Sequence, residues 1–280
     1  MIQETPTILL DYDGYVCKSF YANKEDMMNF EKAEEILSDL SFAALNKASE
    51  YFKCPPSKIN MIKIMSGHSW KKDIYPSYKR SRKRDEFLGL YRDIISKRKG
   101  VLKIEPLEAD EVLIMIADYL RAINNNKVII FSDDKDLRYY TERYCRINIT
   151  EQIVEQDPQL LVYNQLTQML VGDKEDNITG IPKVGEKTAP KILEQYGYTL
   201  DGVIRVFKDR NIDIDQTLRD LLLVVPLSDS YLQETEPAYR AADDILKGNK
   251  PSDLDVHNTI ISLVKFLNSK VKNIYDKEEK

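Results

Sequence analysis

Residues 127–140 read KVIIFSDDKDLRYY, and the order of residue types in this stretch organises the reading of the whole chain. Val128 to Phe131 form a short apolar run, partly β-branched and flanked by polar residues, which predicts a buried strand. Asp133, Asp134 and Asp136 follow within four positions. Carboxylates crowded at a strand end repel one another. A helix N-terminus or a bound cation would offset that repulsion.

Working outward, Thr7 to Leu10 (TILL) predicts a first strand, with Asp11 and Asp13 directly after it. Ile59 to Ile64 (INMIKI), Val101 to Ile104 (VLKI) and the stretch RINI add further strands. Between them, KEDMMNFEKAEEILSDLSFAALNKASEYF and LEADEVLIMIADYLRAI carry apolar residues at helical spacing. Strands alternating with helices predict an α/β fold, a mostly parallel central sheet flanked by helices. From Pro158 onward only helical candidates occur, among them PQLLVYNQLTQMLVGD, TLDGVIRVF and NTIISLVKFLNS. The expected organisation is an α/β core over residues 1–155 and a helical region over 156–280.

No apolar stretch approaches the length of a membrane span, and MIQETPTILLDYDGY lacks the basic-then-apolar layout of a signal peptide. Cys17, Cys54 and Cys145 are scattered, and His68 and His257 stand apart. Reduced thiols in a cytoplasmic protein without a zinc site are expected. The net charge of −5 speaks against a nucleic-acid partner, but its distribution does not. Between Lys71 and Lys99 there are eleven Lys or Arg against four Asp or Glu, a local +7 that leaves −12 elsewhere. Trp70, Tyr75, Tyr78 and Tyr91 lie within or beside this segment. Cations mixed with aromatics suit phosphate binding and base stacking, although a solvated helix face is the plainer reading of a charge run.

In an open parallel sheet, ligands bind beyond the carboxyl ends of the strands. Asp11 and Asp13 fall there, as do Glu108, Asp110 and Glu111 after the third strand, and the three aspartates after the fourth. Asp173 and Asp176, in VGDKEDNITG, lie outside the sheet. Such residues also cap helices, but several groups at one rim, without His or Cys, select hard cations such as Mg²⁺ or Mn²⁺. Two such ions promote phosphodiester cleavage. In NITGIPKVGEKTAPKIL, Gly180 to Gly185 form a tight turn before a helix, with Lys183 and Lys187 beside it. Its backbone N–H groups could hold a DNA phosphate; a plain helix–helix turn is the alternative.

These motifs, EADE, SDDKDL and GDKEDNITGIPKVGEKTA above all, resemble the flap endonuclease-type 5′ nucleases. The chain is most similar to the phage ribonuclease H and 5′-exonuclease branch, and also to the 5′-nuclease domain of bacterial DNA polymerase I, over roughly residues 5 to 200. The resemblance implies a PIN-like nuclease core. It implies two divalent ions held by Asp11, Glu108, Asp110, Glu111, Asp134, Asp136, Asp173 and Asp176, with Asp13 uncertain and Asp133 an extra, structural residue. It makes residues 66–100 a helical arch in which Lys79 and Arg82 contact the scissile phosphate, with Lys71, Lys72, Tyr78, Arg80, Lys83 and Arg84 on the DNA. The glycine turn corresponds to a helix–three-turn–helix element that grips duplex and can bind K⁺.

The family usually places an aspartate at the end of the strand before the arch, yet no acid occurs from Ile59 through Lys72. Lys63 or Met65 is expected there, with one metal site weakened and a Lys63 ammonium standing in for part of a cation's charge. The implied function is a 5′-3′ exonuclease or flap endonuclease, with ribonuclease H activity in scope, acting on branched DNA or RNA–DNA primers as a monomer. A clamp or a single-strand-binding protein is the natural partner. The rival is a nuclease fold retained for binding branched DNA.

Overall fold

The structure is a computed structural model that describes residues 5–23, 29–82, 85–124, 127–134, 137, 145–149, 153–154, 160–224 and 253–276. The strands are β1 (Thr7–Asp11), β2 (Asn60–Ser66), β3 (Val101–Ile104), β4 (Val128–Phe131), β5 (Cys145–Ile147) and β6 (Ile153–Val154). In chain order the helices are α1 (Tyr12–Ala22), α2 (Phe30–Phe52), α3 (Trp70–Ile74), α4 (Glu86–Ser96), α5 (Ala109–Asn124), α6 (Leu160–Val171), α7 (Ala189–Tyr196), α8 (Leu200–Asp209), α9 (Ile214–Val224) and α10 (Asp253–Tyr275). The chain forms two compact units that divide between Asp157 and Pro158, and Trp70–Arg82 groups with the second.

In the first unit the strands run in the order β3-β2-β1-β4-β5-β6, parallel except for the β5–β6 pair. This is the α/β sheet that alternating strands and helices predicted. Period-two alternation places Leu10 opposite Lys63 and Phe131, and Asp11 opposite Ile64. Ile8, Leu10, Met65, Ile129 and Phe131 join Tyr15, Val16, Phe20, Leu37 and Tyr91 in one core. Each such side chain contributes roughly 1.5–3 kcal/mol by burial. α5 packs on β1, β2 and β4 and buries Val112 through Ala117 without interruption. α2 starts where the Asn29 side chain accepts the Lys32 amide at 3.1 Å, and it ends at Lys53 in the left-handed region (φ 54°).

α1 follows β1 without a loop, and the sequence reading assigned no helix there. YDGYVCKSFYA spaces its apolar residues too irregularly for periodicity to detect. β6 was likewise unanticipated, being two residues long.

The second unit is helical: α6 packs on α7, α8 and α9, and α10 packs on α8 and α9. Val203, Ile204, Phe207, Leu221, Leu263 and Leu267 are fully buried. The Tyr275 hydroxyl donates to the Ile212 carbonyl at 2.8 Å and lies 2.7 Å from the Thr217 hydroxyl, pinning the end of α10. Among the described residues no helix is long and apolar enough to cross a membrane.

Candidate active site

Because β1 to β4 are parallel, their C-terminal ends share one rim, and the connection order reverses at β1, which lies between β2 and β4. That reversal is where open α/β sheets bind ligands. Asp11 is the last residue of β1, and Ser132 to Asp134 follow β4 directly. The Ser132 hydroxyl donates to Asp11 Oδ2 at 2.6 Å and accepts the Asp134 amide at 2.9 Å. Asp11 is half-buried. Desolvation, followed by repulsion from Asp13 and Asp134, pushes its pKa up to about 7 despite the bonds from Ser132 and the Gly14 amide. Asp11 is thus an acid in need of positive charge.

Its neighbour Asp13 is already neutralised within the fold. Arg92 donates Nη2 to its Oδ1 at 2.6 Å, and the Ser66 amide donates to its Oδ2 at 2.9 Å. Ser66 is the last residue of β2, and its hydroxyl accepts the Ala109 amide at 3.1 Å. The expectation for Lys63 and Met65 is corrected here. Strand alternation turns both toward the Leu10 side, where Met65 is buried in the core and Lys63 Nζ lies 5.0 Å from the Tyr12 ring centre.

At the start of α5, Glu111 is fully buried and its Oε2 accepts the Glu108 amide at 3.1 Å, half of a capping box. Asp110 Oδ1 accepts the Glu111 amide at 2.9 Å. The helix N-terminus stabilises all three charges. Asp133 accepts the Ile149 amide at 3.0 Å and so ties the end of β4 to the segment after β5. Among the described residues no three metal-ligating groups converge closely enough to hold an ion. Asp136, Lys83 and Arg84 lie outside the described residues.

In the second unit, Gly172 to Gly180 form a tight loop closed by reciprocal Asp173–Ile178 backbone bonds of 2.9 and 2.8 Å. Asp173 Oδ1 accepts the Glu175 amide at 2.9 Å. The Lys79–Arg82 segment docks on this loop. The Lys79 amide donates to the Asp176 carbonyl at 3.2 Å, and the Ser81 hydroxyl donates to Asn177 Oδ1 at 3.0 Å. The buried Asp176 carboxylate receives Arg82 directly and Lys79 Nζ at 3.8 Å. The structure therefore brings both expected phosphate-contacting cations to one expected metal ligand.

The stacking role expected of the aromatics is overturned for three of them. Trp70, Tyr78 and Tyr91 are buried, Tyr91 among Phe20 and Phe30 and Tyr78 against Ile178 and Leu223. Tyr78 instead supports cations: Lys79 Nζ lies 4.8 Å and Lys71 Nζ 5.7 Å from its ring centre. Lys71 is itself buried, Lys72 is half-buried and Arg80 is exposed.

In the glycine turn, Gly180 (φ 63°) presses on the backbone of Val171 and Gly172, and its amide donates to Asp220 Oδ2 at 3.1 Å. Gly180 therefore supports the turn rather than offering its amide to DNA, as the sequence reading had it. Lys183 (φ 65°) and Lys187 are exposed, and a Cβ at Gly185 would meet only open space. The Gly185 amide donates to Thr188 Oγ1 at 2.9 Å.

Residues 149–229 match the family model described as 5′-3′ exonuclease, C-terminal SAM fold. A DNA polymerase I of Rhizobium leguminosarum is 27% identical over 248 residues, covering 76% of this chain and 24% of that protein. The 5′-3′ exonuclease of Buchnera aphidicola is 25% identical, covering 68% of this chain and 66% of that one. The fold is similar to a bacteriophage T5 flap endonuclease solved as a pseudo-enzyme-product complex with DNA and metal ions: TM-score 0.59, 14% identity, 94% of this chain and 99% of that chain. Its sequence is similar to that of 5′-3′ exonucleases. It spans about a quarter of the length of the DNA polymerase I relatives it matches.

The sequence patterns assign no role to Ser132, Ser66, Arg92, Asn177 or Asp220. Ser132 stood inside the opening stretch as an ordinary polar residue, and only the β1–β4 pairing gives it Asp11 as a partner. Arg92 meets Asp13 across 79 positions, a distance no local pattern encodes.

Proposed function

We propose that the chain is a divalent-metal-dependent, structure-specific 5′ nuclease that hydrolyses phosphodiester bonds at 5′ flaps or in RNA–DNA primers. Exonuclease, flap-endonuclease and ribonuclease H action are modes of the same site in this reading. The observation that carries it is Asp11, a half-buried carboxylate at the sheet's switch point whose immediate neighbours are a hydroxyl, an amide and two further aspartates. An all-carboxylate donor set fits a hard cation. Asp11, Glu108, Asp110, Glu111, Asp134 and Asp136 are the proposed Mg²⁺ or Mn²⁺ ligands of the first unit and Asp173 and Asp176 those of the second, two ions in all. Asp13, already paired with Arg92, is left out of the set. When bound, divalent ions supply charge that activates water and stabilises the leaving oxygen.

The protein's own groups hold and orient the substrate. Arg82 and Lys79 can exchange the Asp176 carboxylate for oxygens of the scissile phosphate, since guanidinium and ammonium bind both. The buried Tyr78 ring and the Asn177–Ser81 bond keep that segment in place, which serves orientation more than affinity. Lys183, Gly185 and Lys187 would bind duplex backbone without reading bases, with K⁺ at the same turn. Replication intermediates inside a bacterial or phage-infected cell, handled as a monomer beside a clamp or single-strand-binding protein, are the matching setting.

The test is cleavage of a labelled 5′-flap duplex in Mg²⁺ and in Mn²⁺ by the wild type and by Asp134→Asn/Asp136→Asn. Product from the wild type alone is expected. Equal product from both sinks the metal assignment, and tight flap binding without cleavage by the wild type favours the DNA-binding rival.

A further inference from the structure

The sequence assigns the region after Pro158 helices alone, yet α9 reaches back to hold the glycine turn. Asp220 on α9 is fully buried, and its Oδ2 accepts the Gly180 amide at 3.1 Å. One turn earlier, Gln216 Nε2 donates to the Gly180 carbonyl at 3.2 Å. Arg219 donates Nε to Asp220 Oδ1 and Nη2 to Thr179 Oγ1, both at 3.2 Å. Gln216 and Asp220 lie four residues apart on one helix face, so that face grips both ends of a single residue. On its other side Gly180 abuts Val171 and Gly172, where a Cβ would meet backbone at 2.4 Å.

A carboxylate is costly to bury unless its lone pairs are filled, and a fold that retains one uses its directional bonds. Burial pushes the Asp220 pKa up even with Arg219, Gln216 and Gly180 bonded to it. What these bonds fix is the direction in which the chain leaves Gly180, toward Lys183 and Gly185. A contact to phosphate by backbone N–H groups tolerates little misdirection.

We propose that Asp220, assisted by Gln216 and Arg219, is a positioning residue for the turn that grips duplex phosphate, acting on substrate affinity and not on the chemical step. The proposal rests on the nuclease reading above. Its test measures binding of a 5′-flap duplex by fluorescence anisotropy in Ca²⁺, its salt dependence, and the single-turnover rate at saturating substrate in Mg²⁺. Asp220→Ala weakens binding about tenfold and Gln216→Ala about threefold, with the saturated rate within about twofold of wild type. Asp220→Asn, whose Oδ1 still accepts the Gly180 amide, recovers most of the affinity.

A folded Asp220→Ala protein that binds like wild type overturns the proposal, as does an Asp220→Asn protein as weak as the alanine variant. Should Asp220→Ala fail to fold, the half-buried Gln216 decides: Gln216→Ala with unchanged affinity overturns it equally. A wild type that neither binds nor cleaves the flap refutes the nuclease reading and this proposal together. Cleavage by the wild type with unaltered binding by the variants refutes this proposal alone.

Discussion

Asp11→Asn should stabilise the metal-free protein, by an amount that grows with pH. The substitution keeps an oxygen to accept the Ser132 hydroxyl and removes the charge that burial, Asp13 and Asp134 all oppose. The wild-type carboxyl titrates near 3.8 in the unfolded chain and at about 7 in the fold. Between those values the native state holds a proton that the unfolded chain has released, so stability falls as pH rises. The cost is absent below 3.8 and complete above about 7. At 1.36 kcal/mol per pH unit its ceiling is about 4 kcal/mol, and from pH 5 to pH 8 the gap between variant and wild type widens by about 3 kcal/mol. For a unit of this size that corresponds to a difference in Tm that widens by roughly 5–10 °C. Thermal unfolding of both proteins by circular dichroism, in EDTA at four pH values and constant ionic strength, measures it. A constant offset, or a gap that narrows as pH rises, refutes the argument that Asp11 lacks countercharge. Added Mg²⁺ should then raise the Tm of the wild type more than that of the variant, because binding to the native state alone stabilises it.

The two glycines of the turn should separate stability from binding. Gly180→Ala places a Cβ 2.4 Å from backbone at φ 63° and should cost about 2–4 kcal/mol in thermal unfolding. Gly185→Ala, with open space around it, should stay within about 0.5 kcal/mol of wild type while weakening flap-duplex affinity in a binding titration. Ser66→Asp should lower the Mg²⁺ concentration needed for half-maximal cleavage. Lys63→Asp should leave it unchanged, because that side chain sits over Tyr12 on the other face of the sheet. Lys79→Ala and Arg82→Ala should each reduce the single-turnover cleavage rate about 10²-fold, with substrate affinity falling much less.

What the sequence made legible was whatever depends on local pattern. VIIF, TILL and INMIKI are strands because they are short apolar runs bounded by polar residues, and their parallel order follows from the helices between them. The acids were legible as well, since each group stands directly after a strand. Partnership was not. Tyr78 and Tyr91 sit among cations in the sequence and looked like a stacking surface, but one turn of backbone decides whether a ring faces water or core, and both face the core. Lys63 was placed at the site because no acid occurs nearby. Alternation along β2 sends it to the opposite face, and Ser66, two residues past the predicted end of that strand, takes the rim. α1 escaped because its helix is specified by tertiary burial of Tyr15, Val16 and Phe20 and hardly by periodicity.

The crowding of aspartates after VIIF was read as a demand for positive charge, and in the structure that demand has several answers. Asp133 is met by an amide, Asp13 by Arg92 and the Ser66 amide, Glu111 by the N-terminus of α5, and Asp176 by Arg82 and Lys79. Each of these acids has a role in the fold that needs no ion. Asp11 differs: among the described residues a hydroxyl and the Gly14 amide bond to it, both neutral, while Asp13 and Asp134 repel it. Counting carboxylates therefore overstates what a cation must neutralise, and the identity of the under-compensated one locates where it would go. That is why substitution at Asp11 should change stability with the sign opposite to that at Asp13. Asp13→Asn takes the counter-charge from Arg92 and turns an NH2 toward either Arg92 or the Ser66 amide, a loss that outweighs the repulsion relieved at Asp11, and it should destabilise the metal-free protein at pH 8, where Asp11→Asn stabilises it.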